Sequence, residues 1–371
     1  MRVLHIYKTY YPDTFGGIEQ VIFELARGTR EQGIDSTILT VSPRTQPAEI
    51  QREEALVIRG QCSFEIASTP FSLNMARQFA RLHRKYDLLH YHFPWPFADL
   101  LHLGLRSPTP AIVSYHSDIV AQRTLNRLYA PLREQFLCKM RLIVAASPQY
   151  AASSPVLRRH QDKLRVIPYG LSDDHAAPAD PARIQHWRER LGEGFMLFIG
   201  VLRYYKGLHT LIEAARGAPY PVVIAGDGPM AASLRAQAAN SGCRNVHFLG
   251  RIDDADKVAL LHLCHAFVFP SHLRSEAFGI SLLEAAQQGR PMISCEIGTG
   301  TTFVNQHHTT GIVIPPETPT ALRAAMDRLH HDPALAARQG EAARQHFAQH
   351  FTTRRMSEAY AAAYQEALAK R

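Results

Sequence analysis

Short apolar runs alternate with longer segments of helical periodicity along nearly the whole chain. Arg2–Tyr7 is strand-like, and after it Ile18, Val21, Ile22 and Leu25 repeat at the spacing of one helix face. Runs that are apolar without interruption are typical of strands buried on both faces of a parallel sheet. The alternation therefore predicts an α/β fold built from doubly wound parallel sheets.

The predicted strands fall into two halves of the chain. They are Arg2–Tyr7, Ser36–Val41, Leu56–Arg59, Asp87–Phe93, Ala111–Tyr115 and Leu142–Ala145, and then Phe195–Ile199, Pro221–Ala225, Val246–Leu249, Ala266–Phe269 and Pro291–Ser294. Helices of the second half are predicted to begin near Lys206, Met230, Ala255 and Gly279.

One segment interrupts this pattern. Pro168–Pro181 is rich in Pro, Asp and Ala and has no periodicity, which predicts a linker. We therefore predict Rossmann-like domains at residues 1–170 and 171–350, and a C-terminal helix at 351–371 that packs back toward the first domain. Ligands of open parallel sheets bind outside the carboxyl ends of the strands, so we expect the site in a cleft that the two domains face.

Composition excludes several classes of protein. Of the 371 residues, 46% are hydrophobic and 20% are charged, which rules out an intrinsically disordered chain. The longest apolar runs have the length of a strand, so none spans a bilayer, and the N-terminus lacks a signal peptide. The five cysteines form an odd set without a C-x-x-C spacing, which indicates buried thiols of a cytosolic protein.

The net charge of +8 is compatible with nucleic acid, an anionic membrane surface or an anionic small substrate. Nucleic acid is disfavoured, because the basic residues are not interleaved with aromatic ones and no helix-turn-helix is visible. Two helices of the first half favour an anionic membrane surface, although each could be a solvated basic face. Their basic residues are Arg77, Arg81, Arg84 and Lys85, and Arg123, Arg127, Arg133, Lys139 and Arg141.

The strongest local motif is the segment Ser275–Ala285, which follows an apolar strand and enters a helix. Glu276 falls in the loop and Glu284 inside the helix, and the free amides of the helix N-terminus between them favour an anion. Gly279 would allow close approach of a ligand. The two carboxylates can accept hydrogen bonds from sugar hydroxyls. Alternatively, Glu276 only interacts favourably with the helix dipole and Glu284 is an ordinary solvated helix residue.

Two further loops offer groups for an anionic ligand. Arg203 and Lys206 lie between a strand and a helix, where two cations can clamp a diphosphate, although such residues are often only solvated. Gly16 and Gly17 precede the first helix and permit close approach of a phosphate, or form only a turn. The chain has neither G-x-G-x-x-G nor a P-loop, which disfavours NAD-type and P-loop nucleotide sites.

Three histidines in or next to predicted strands and one pair of aspartates have side chains that could bind a metal or a ligand. His116 ends a predicted strand, where it is expected to point into the cleft. His90 and His92 share one face of a strand, but no third ligand at metal spacing accompanies them, so we reject a metal site there. The pair Asp254 and Asp256 lies at a helix start, where capping and dipole effects explain it.

Together these motifs resemble the retaining family 4 glycosyltransferases of GT-B fold over essentially the whole chain. The E-x7-E element EAFGISLLE is the most specific, and TFGGIEQ, VVIAGDGP, VHFLGRI and the Lys206-Gly207 pair accompany it. The resemblance implies a hexose bound by Glu276, a ribose by Glu284, and a diphosphate neutralised by Arg203 and Lys206. It also implies donor contacts from Gly16, Gly17, His116 and the backbone of Phe278, Gly279 and Ile280.

One departure weakens part of this transfer. Members of the family often carry Arg directly after the glycine that ends this strand, where this chain has Val201. The arginine of this loop is Arg203, two positions later.

The combination YHSDI, YYKG and SEAFGISLLEA looks most like bacterial enzymes that use GDP-linked mannose or rhamnose to build O-antigen or capsule. The resemblance implies a retaining transfer to a lipid-linked saccharide, with no cofactor and no metal, by a cytoplasmic protein that can also lie on the inner face of the membrane. The residues alone do not select guanine over uracil. A sugar-nucleotide epimerase of the same architecture, or a non-catalytic nucleotide-sugar-binding protein, are the alternatives.

Overall fold

A computed structural model describes residues 1–66, 69–119, 123–172 and 179–370. The chain forms two compact units, Met1–Gly170 with Thr353–Arg371, and Leu171–Thr352. Residues 173–178 of the predicted linker lie outside the described residues. No helix of the described ranges is both long and apolar enough to cross a membrane.

The first unit is built on an eight-stranded sheet. Its strands, with a separate pair β5 and β6, are β1 (Arg2–Ile6), β2 (Asp35–Ser42), β3 (Glu49–Gln51), β4 (Leu56–Gln61), β5 (Phe64–Ile66), β6 (Thr69–Phe71), β7 (Leu88–Phe93), β8 (Ala111–Tyr115), β9 (Leu142–Ala145) and β10 (Leu164–Val166). The sheet order is β10-β9-β8-β7-β1-β2-β4-β3, and only β3 runs antiparallel to its neighbour. Strand β5 pairs with β6 in antiparallel fashion.

The helices of this unit, among the residues that the structure describes, are α1 (Gly17–Arg30), α2 (Leu73–Leu82), α3 (Pro96–Leu105), α4 (Arg123–Lys139), α5 (Pro148–Ser153) and α14 (Thr353–Ala369). Helix α14 returns to pack on α1, where a side chain at Gly28 would lie 2.8 Å from Ser357. The hydroxyl of Thr353 also donates to Glu24 at 2.6 Å. The last helix therefore completes the first unit.

The second unit holds a six-stranded parallel sheet. Its strands are β11 (Met196–Ile199), β12 (Val222–Ala225), β13 (Val246–Gly250), β14 (Ala266–Phe269), β15 (Met292–Cys295) and β16 (Gly311–Ile314). Its helices are α6 (Pro181–Leu191), α7 (Leu208–Ala215), α8 (Ala231–Asn240), α9 (Asp254–Leu263), α10 (Ile280–Gln287), α11 (Thr301–Val304), α12 (Pro319–His331) and α13 (Pro333–His350).

The order β13-β12-β11-β14-β15-β16 places the topological switch between β11 and β14. From β11 the chain builds outward through β12 and β13, then returns to add β14 on the other side of β11. In open parallel sheets this reversal opens a crevice at the carboxyl ends of the two central strands. The loops after β11 and β14 therefore flank the crevice of this unit.

The strand predictions were confirmed for the long apolar runs but missed β3, β5, β6, β10 and β16, which have three or four residues each. The helix expected near Lys206 begins at Leu208, after a 3₁₀ turn over Tyr204–Lys206. The prediction that all the cysteines are buried was wrong for Cys138, which is exposed near the end of α4, and for half-buried Cys62.

Candidate active site

Lys206 and Glu276 form a buried ion pair at the switch point of the second unit. Only 9% of Lys206 and 8% of Glu276 is exposed, and the Lys206 Nζ donates to Glu276 Oε2. The hydroxyl of Ser271 donates to the same oxygen at 3.0 Å. The other oxygen, Oε1, has no hydrogen-bond partner among the described residues, which leaves an acceptor for a ligand hydroxyl.

The turn that carries Lys206 is held by close backbone contacts. Gly207 ends it with φ +70°, and a Cβ there would lie 2.0 Å from the carbonyl oxygen of Pro270. The amide of His272 donates to the carbonyl of Tyr205 at 2.9 Å. The Lys206 Nζ also lies 4.6 Å from the ring centroid of Phe269, at the end of β14. The loops after β11 and β14 are thus locked together, and this positions the pair.

Arg203 lies near this pair but is exposed. Arg203 acts electrostatically on Tyr205. Burial raises the pKa of the Tyr205 phenol, and the positive charges of Lys206 and Arg203 oppose that rise. Its guanidinium makes no hydrogen bond to a described residue, so it remains available to an anion. The structure therefore places both predicted cations beside the crevice, one buried and paired, the other at the surface.

Glu284 lies on α10 and is buried. It is therefore not the ordinary solvated helix residue that the sequence also allowed. Lys257 of α9, which sequence reasoning missed, pairs with Glu284 Oε1 and with Asp254 Oδ1 at 3.0 Å. Burial lowers the pKa of Lys257, but its two carboxylate partners outweigh burial and raise it above the ordinary value. No local signal marks Lys257, because only tertiary packing brings α9 beside α10.

The start of α10 also differs in detail from the prediction. Gly279 has φ +94°, and a Cβ there would contact the Phe269 ring at 3.0 Å, so the glycine is needed for the backbone turn and for core packing. The side chain of Phe278 is buried against Phe351, and Ile280 begins the helix. No side chain caps α10, so its first amides remain free to donate to an anion.

Gly16 and Gly17 lie in the first unit, where the helix α1 begins at Gly17 without a side-chain cap. A Cβ at Gly16 would lie 2.6 Å from Glu19 Oε2, so Gly16 makes room for that carboxylate. Glu19 is buried and accepts a hydrogen bond from the Thr14 hydroxyl at 2.9 Å. Gly17 is exposed.

His116, which was predicted to point into the cleft, is a member of a buried hydrogen-bond chain. It is 3% exposed, and both ring nitrogens are engaged. Its Nε2 lies 2.9 Å from His92 Nδ1, and its Nδ1 lies 2.5 Å from the Tyr169 hydroxyl. His116 directly follows β8, and its ring stacks on that of His92 at a centroid distance of 5.2 Å and lies 5.7 Å from the ring of Tyr169. The imidazole can bind a ligand only by exchanging one of these partners.

The hydrogen-bond chain continues into the sheet. His92 Nε2 lies 3.1 Å from His5 Nδ1, and His5 Nε2 lies 3.3 Å from the Ser36 hydroxyl. Burial lowers the pKa of His5 and of His116 to about 3, so both rings are neutral. A neutral imidazole has one donor and one acceptor, so the tautomers of His5, His92 and His116 must be the same and change together.

The prediction that no third potential metal ligand accompanies His90 and His92 was wrong. His5 pairs with His90 in the register of β1 and β7, so the neighbouring strand supplies a third ring within metal-ligand distance. Both nitrogens of His90 are nevertheless used, by the Tyr364 hydroxyl at 2.9 Å and the Ser114 hydroxyl at 2.7 Å. A metal would have to break this network, and the histidines serve as its hydrogen-bonded members instead.

The predicted basic faces are only partly at the surface. Arg77, Arg81, Arg84 and Lys85 are exposed on and after α2. On α4, Arg127 and Lys139 are exposed, but Arg133 is buried, and Arg141 donates to the carbonyl of Lys370. Arg133 lies close enough to oppose the rise in the pKa of Asp99, which burial brings to about 8. The side chain of Arg123 lies outside the described residues.

Comparison with known proteins matches each unit to a glycosyltransferase family model. The family described as glycosyltransferase family 4 matches residues 15–175, and that described as glycosyl transferases group 1 matches residues 181–346. The chain is 50% identical to the O-antigen chain mannosyltransferase C of Escherichia coli over 98% of both chains. It is 53% identical to the D-rhamnosyltransferase WbpZ of Pseudomonas aeruginosa, over 95% of this chain and 92% of that protein.

Solved structures give the same architecture. Sucrose-phosphate synthase from Thermosynechococcus elongatus superposes with a TM-score of 0.83 at 20% identity, over 100% of both chains. HepE of Anabaena, solved in complex with UDP, superposes with a TM-score of 0.79 at 18% identity, over 98% of this chain and 100% of that one. The predicted GT-B architecture of two Rossmann-like domains is confirmed. The chain belongs to the group 1, family 4 glycosyltransferases.

Proposed function

We propose that this protein is a retaining hexosyltransferase that moves mannose or rhamnose from a GDP-linked donor to a lipid-linked saccharide. The product would be O-antigen or another surface polysaccharide. The names of the two relatives, at 50% and 53% identity, support the sugar and the pathway. The observation that carries the proposal is the buried Lys206–Glu276 pair at the switch point, with one carboxylate oxygen left to accept from a sugar hydroxyl.

The charges of the second unit fit the demands of such a transfer. The bond between the hexose C1 and the diphosphate oxygen breaks, and a bond from C1 to the acceptor oxygen forms on the same face of the ring. The acceptor proton passes to the departing diphosphate. Lys206, Arg203 and the uncapped amides of α10 stabilise the charge on that leaving group, and Glu276 orients the hexose. Glu284, held by Lys257, is placed to accept from a ribose hydroxyl.

The nucleotide is tested by the thermal unfolding of the protein with GDP, UDP, ADP and dTDP. We expect GDP to raise the Tm most, because the nucleotide that binds the native state most tightly stabilises it most. The sugars linked to the stabilising base are then assayed with a lipid-linked acceptor, and the anomeric configuration of the product is read by NMR. A shift with UDP alone would refute the GDP assignment, and an inverted anomer would refute retention. Donor conversion without acceptor would indicate an epimerase, and binding without turnover a sensor.

We expect the transfer to proceed without a divalent metal, because Lys206, Arg203 and a helix N-terminus supply the positive charge. The transfer rate should be the same within a factor of about two in EDTA and in millimolar Mg²⁺ or Mn²⁺. Strict dependence on added Mg²⁺ or Mn²⁺ would contradict this prediction.

To reach a lipid-linked acceptor the protein would have to bind an anionic membrane surface, and the first unit has a face suited to this at α2 and the β5–β6 pair. Phe64 and Ile66 of β5 are 51% and 58% exposed, although they are large and apolar. Leu73, at the start of α2, is exposed in the same way and joins this pair through its amide, which donates to the Ser63 hydroxyl at 3.3 Å. The exposed arginines of α2 follow directly along the helix. Apolar residues flanked by cations are typical of a surface that lies on anionic lipid. We therefore propose a cytoplasmic protein that can also lie on the inner face of the membrane.

Flotation with vesicles tests the membrane surface. We expect the protein to float with vesicles that contain 30% anionic phospholipid and not with neutral ones. The variant Phe64→Ser/Ile66→Ser should lose most of this binding, as should Arg77→Gln/Arg81→Gln. The matched control Arg344→Gln/Arg354→Gln, which removes two exposed arginines of other helices, should bind nearly as the parent does. An equal loss of vesicle binding in the control would mean that binding depends on net charge alone and not on this face.

A further inference from the structure

Three potential metal ligands meet at the carboxyl edge of the second sheet, close to the turn that carries Lys206. His209 lies in the first turn of α7, His272 in the loop after β14, and Glu317 in the loop before α12. One ligand atom from each lies within 4.8 Å of the others. The cluster joins three separate loops of one compact unit.

His272 is the residue that requires an explanation. Its side chain is 1% exposed, yet neither ring nitrogen has a hydrogen-bond partner among the described residues. A buried imidazole normally satisfies both nitrogens, since leaving them unpaired costs free energy. The ring meets those of Tyr204 and His209 edge-on at centroid distances of 5.0 and 5.2 Å. This packing explains why the ring is buried, but it gives its nitrogens no hydrogen-bond partner.

An ordinary ion pair does not satisfy His272 either. Its Nε2 lies 3.8 Å from Glu317 Oε1, beyond a hydrogen bond. Both ring nitrogens of His272 therefore remain without a hydrogen-bond partner, and imidazole nitrogen is a common metal ligand.

The arrangement fits a first-row divalent ion. Two imidazoles and one carboxylate form a donor set that Zn²⁺ accepts, with water in a fourth position. At metal–ligand distances near 2 Å, neighbouring ligand atoms of a tetrahedral site lie about 3.3 Å apart. The 3.8 Å between His272 Nε2 and Glu317 Oε1 therefore has to shorten by about half an ångström, and the side chain of Glu317 is exposed. Tyr204 stacks on His209 and fixes the orientation of that ring.

We propose that His209, His272 and Glu317 bind a Zn²⁺-class divalent ion that ties together the loops after β11, β14 and β16. The ion is a structural element of the second unit and takes no part in the transfer reaction. Its binding would stabilise the second unit against unfolding. The turn over Tyr204–Lys206 is already held by the amide of His272, which donates to the Tyr205 carbonyl, so the folded protein should transfer at the same rate without the ion.

Metal binding is measured directly on the full-length chain after removal of metal by a chelator. We expect Zn²⁺ at a hundredfold excess over its dissociation constant to raise the Tm by roughly 5–10 °C. Co²⁺ should give the visible absorption bands of a four-coordinate ion with about one equivalent bound. Glu317→Gln and His209→Gln should each weaken Zn²⁺ binding by roughly tenfold or more, and His272→Asn should abolish it.

The other histidines of the chain provide the control. His308→Asn and His331→Asn replace exposed residues outside the cluster, and both variants should bind Zn²⁺ and Co²⁺ as the parent does. If Glu317→Gln, an exposed and nearly isosteric change, leaves the Co²⁺ spectrum and the Tm shift intact, the proposal is wrong. Loss of the shift in the controls, or several weak equivalents without a Co²⁺ band, would also overturn it by indicating adventitious surface binding. These readouts do not depend on transfer, so they are independent of the proposed function.

Discussion

Glu276→Gln and Lys206→Met are each expected to lower the transfer rate by about 10²–10³-fold or more, while donor binding changes less. Removing one preorganised charge from a dry site has effects of this size, because that charge acts most strongly in the transition state. Each single change also leaves a buried partner uncompensated, which should lower the free energy of unfolding by about 3–5 kcal/mol. The double variant Lys206→Met/Glu276→Gln removes both charges, so it should be more stable than either single variant while remaining inactive.

The measurements are kcat and KM for donor, and chemical denaturation of the same preparations. Glu341→Gln provides the matched control, because Glu341 pairs with Arg344 on an exposed helix surface of the same unit and should affect neither quantity by much. If the double variant recovers stability but also recovers transfer, Lys206 and Glu276 hold the fold and not the substrate. Near-parental turnover in both single variants would exclude the site itself.

Gly207→Ala is expected to lower the free energy of unfolding by about 2–5 kcal/mol and to reduce transfer strongly. The backbone there has φ +70°, and the added Cβ would lie 2.0 Å from the carbonyl oxygen of Pro270. The turn has to move away from the loop after β14, and Lys206 moves with it. The effect is measured by chemical denaturation and by the transfer assay on the folded fraction.

Gly217→Ala separates backbone strain from the clash. Gly217 has a similar φ of +65°, but nothing lies within 4 Å of the position of its Cβ. This variant should lose only about 1–2 kcal/mol and keep its transfer rate. Equal losses in the two variants would mean that the contact between the loops after β11 and β14 does not position Lys206.

The sequence was sufficient for the α/β class and for most of the central strands, since buried parallel strands are continuous apolar runs. Runs of three residues, such as β5 and β10, carry too few positions for any periodicity and were missed. The E-x7-E spacing located Glu276 and Glu284 correctly on either side of a helix start, because the interval is short and local. Lys257 could not be found in this way, since 27 residues separate it from Glu284.

His116 shows the opposite limit. Its position at the end of β8 was predicted correctly, but the direction and partners of its ring depend on His92 and Tyr169, which are distant in the chain. The basic residues of α4 show the same limit, because helical spacing alone did not reveal that Arg133 faces inward.

The sequence by itself determined the fold class, the family and the loops in which the candidate site lies, because these depend on local periodicity and short motifs. Only the tertiary structure decided which charges are neutralised, which nitrogens are engaged and which are left unpaired. It paired Lys206 with Glu276 across 70 residues and joined His5 of β1, His92 of β7 and His116, which follows β8, into one hydrogen-bond chain. Such contacts are governed by strand order and register, and the free energy of a buried charge depends on its neighbours in space.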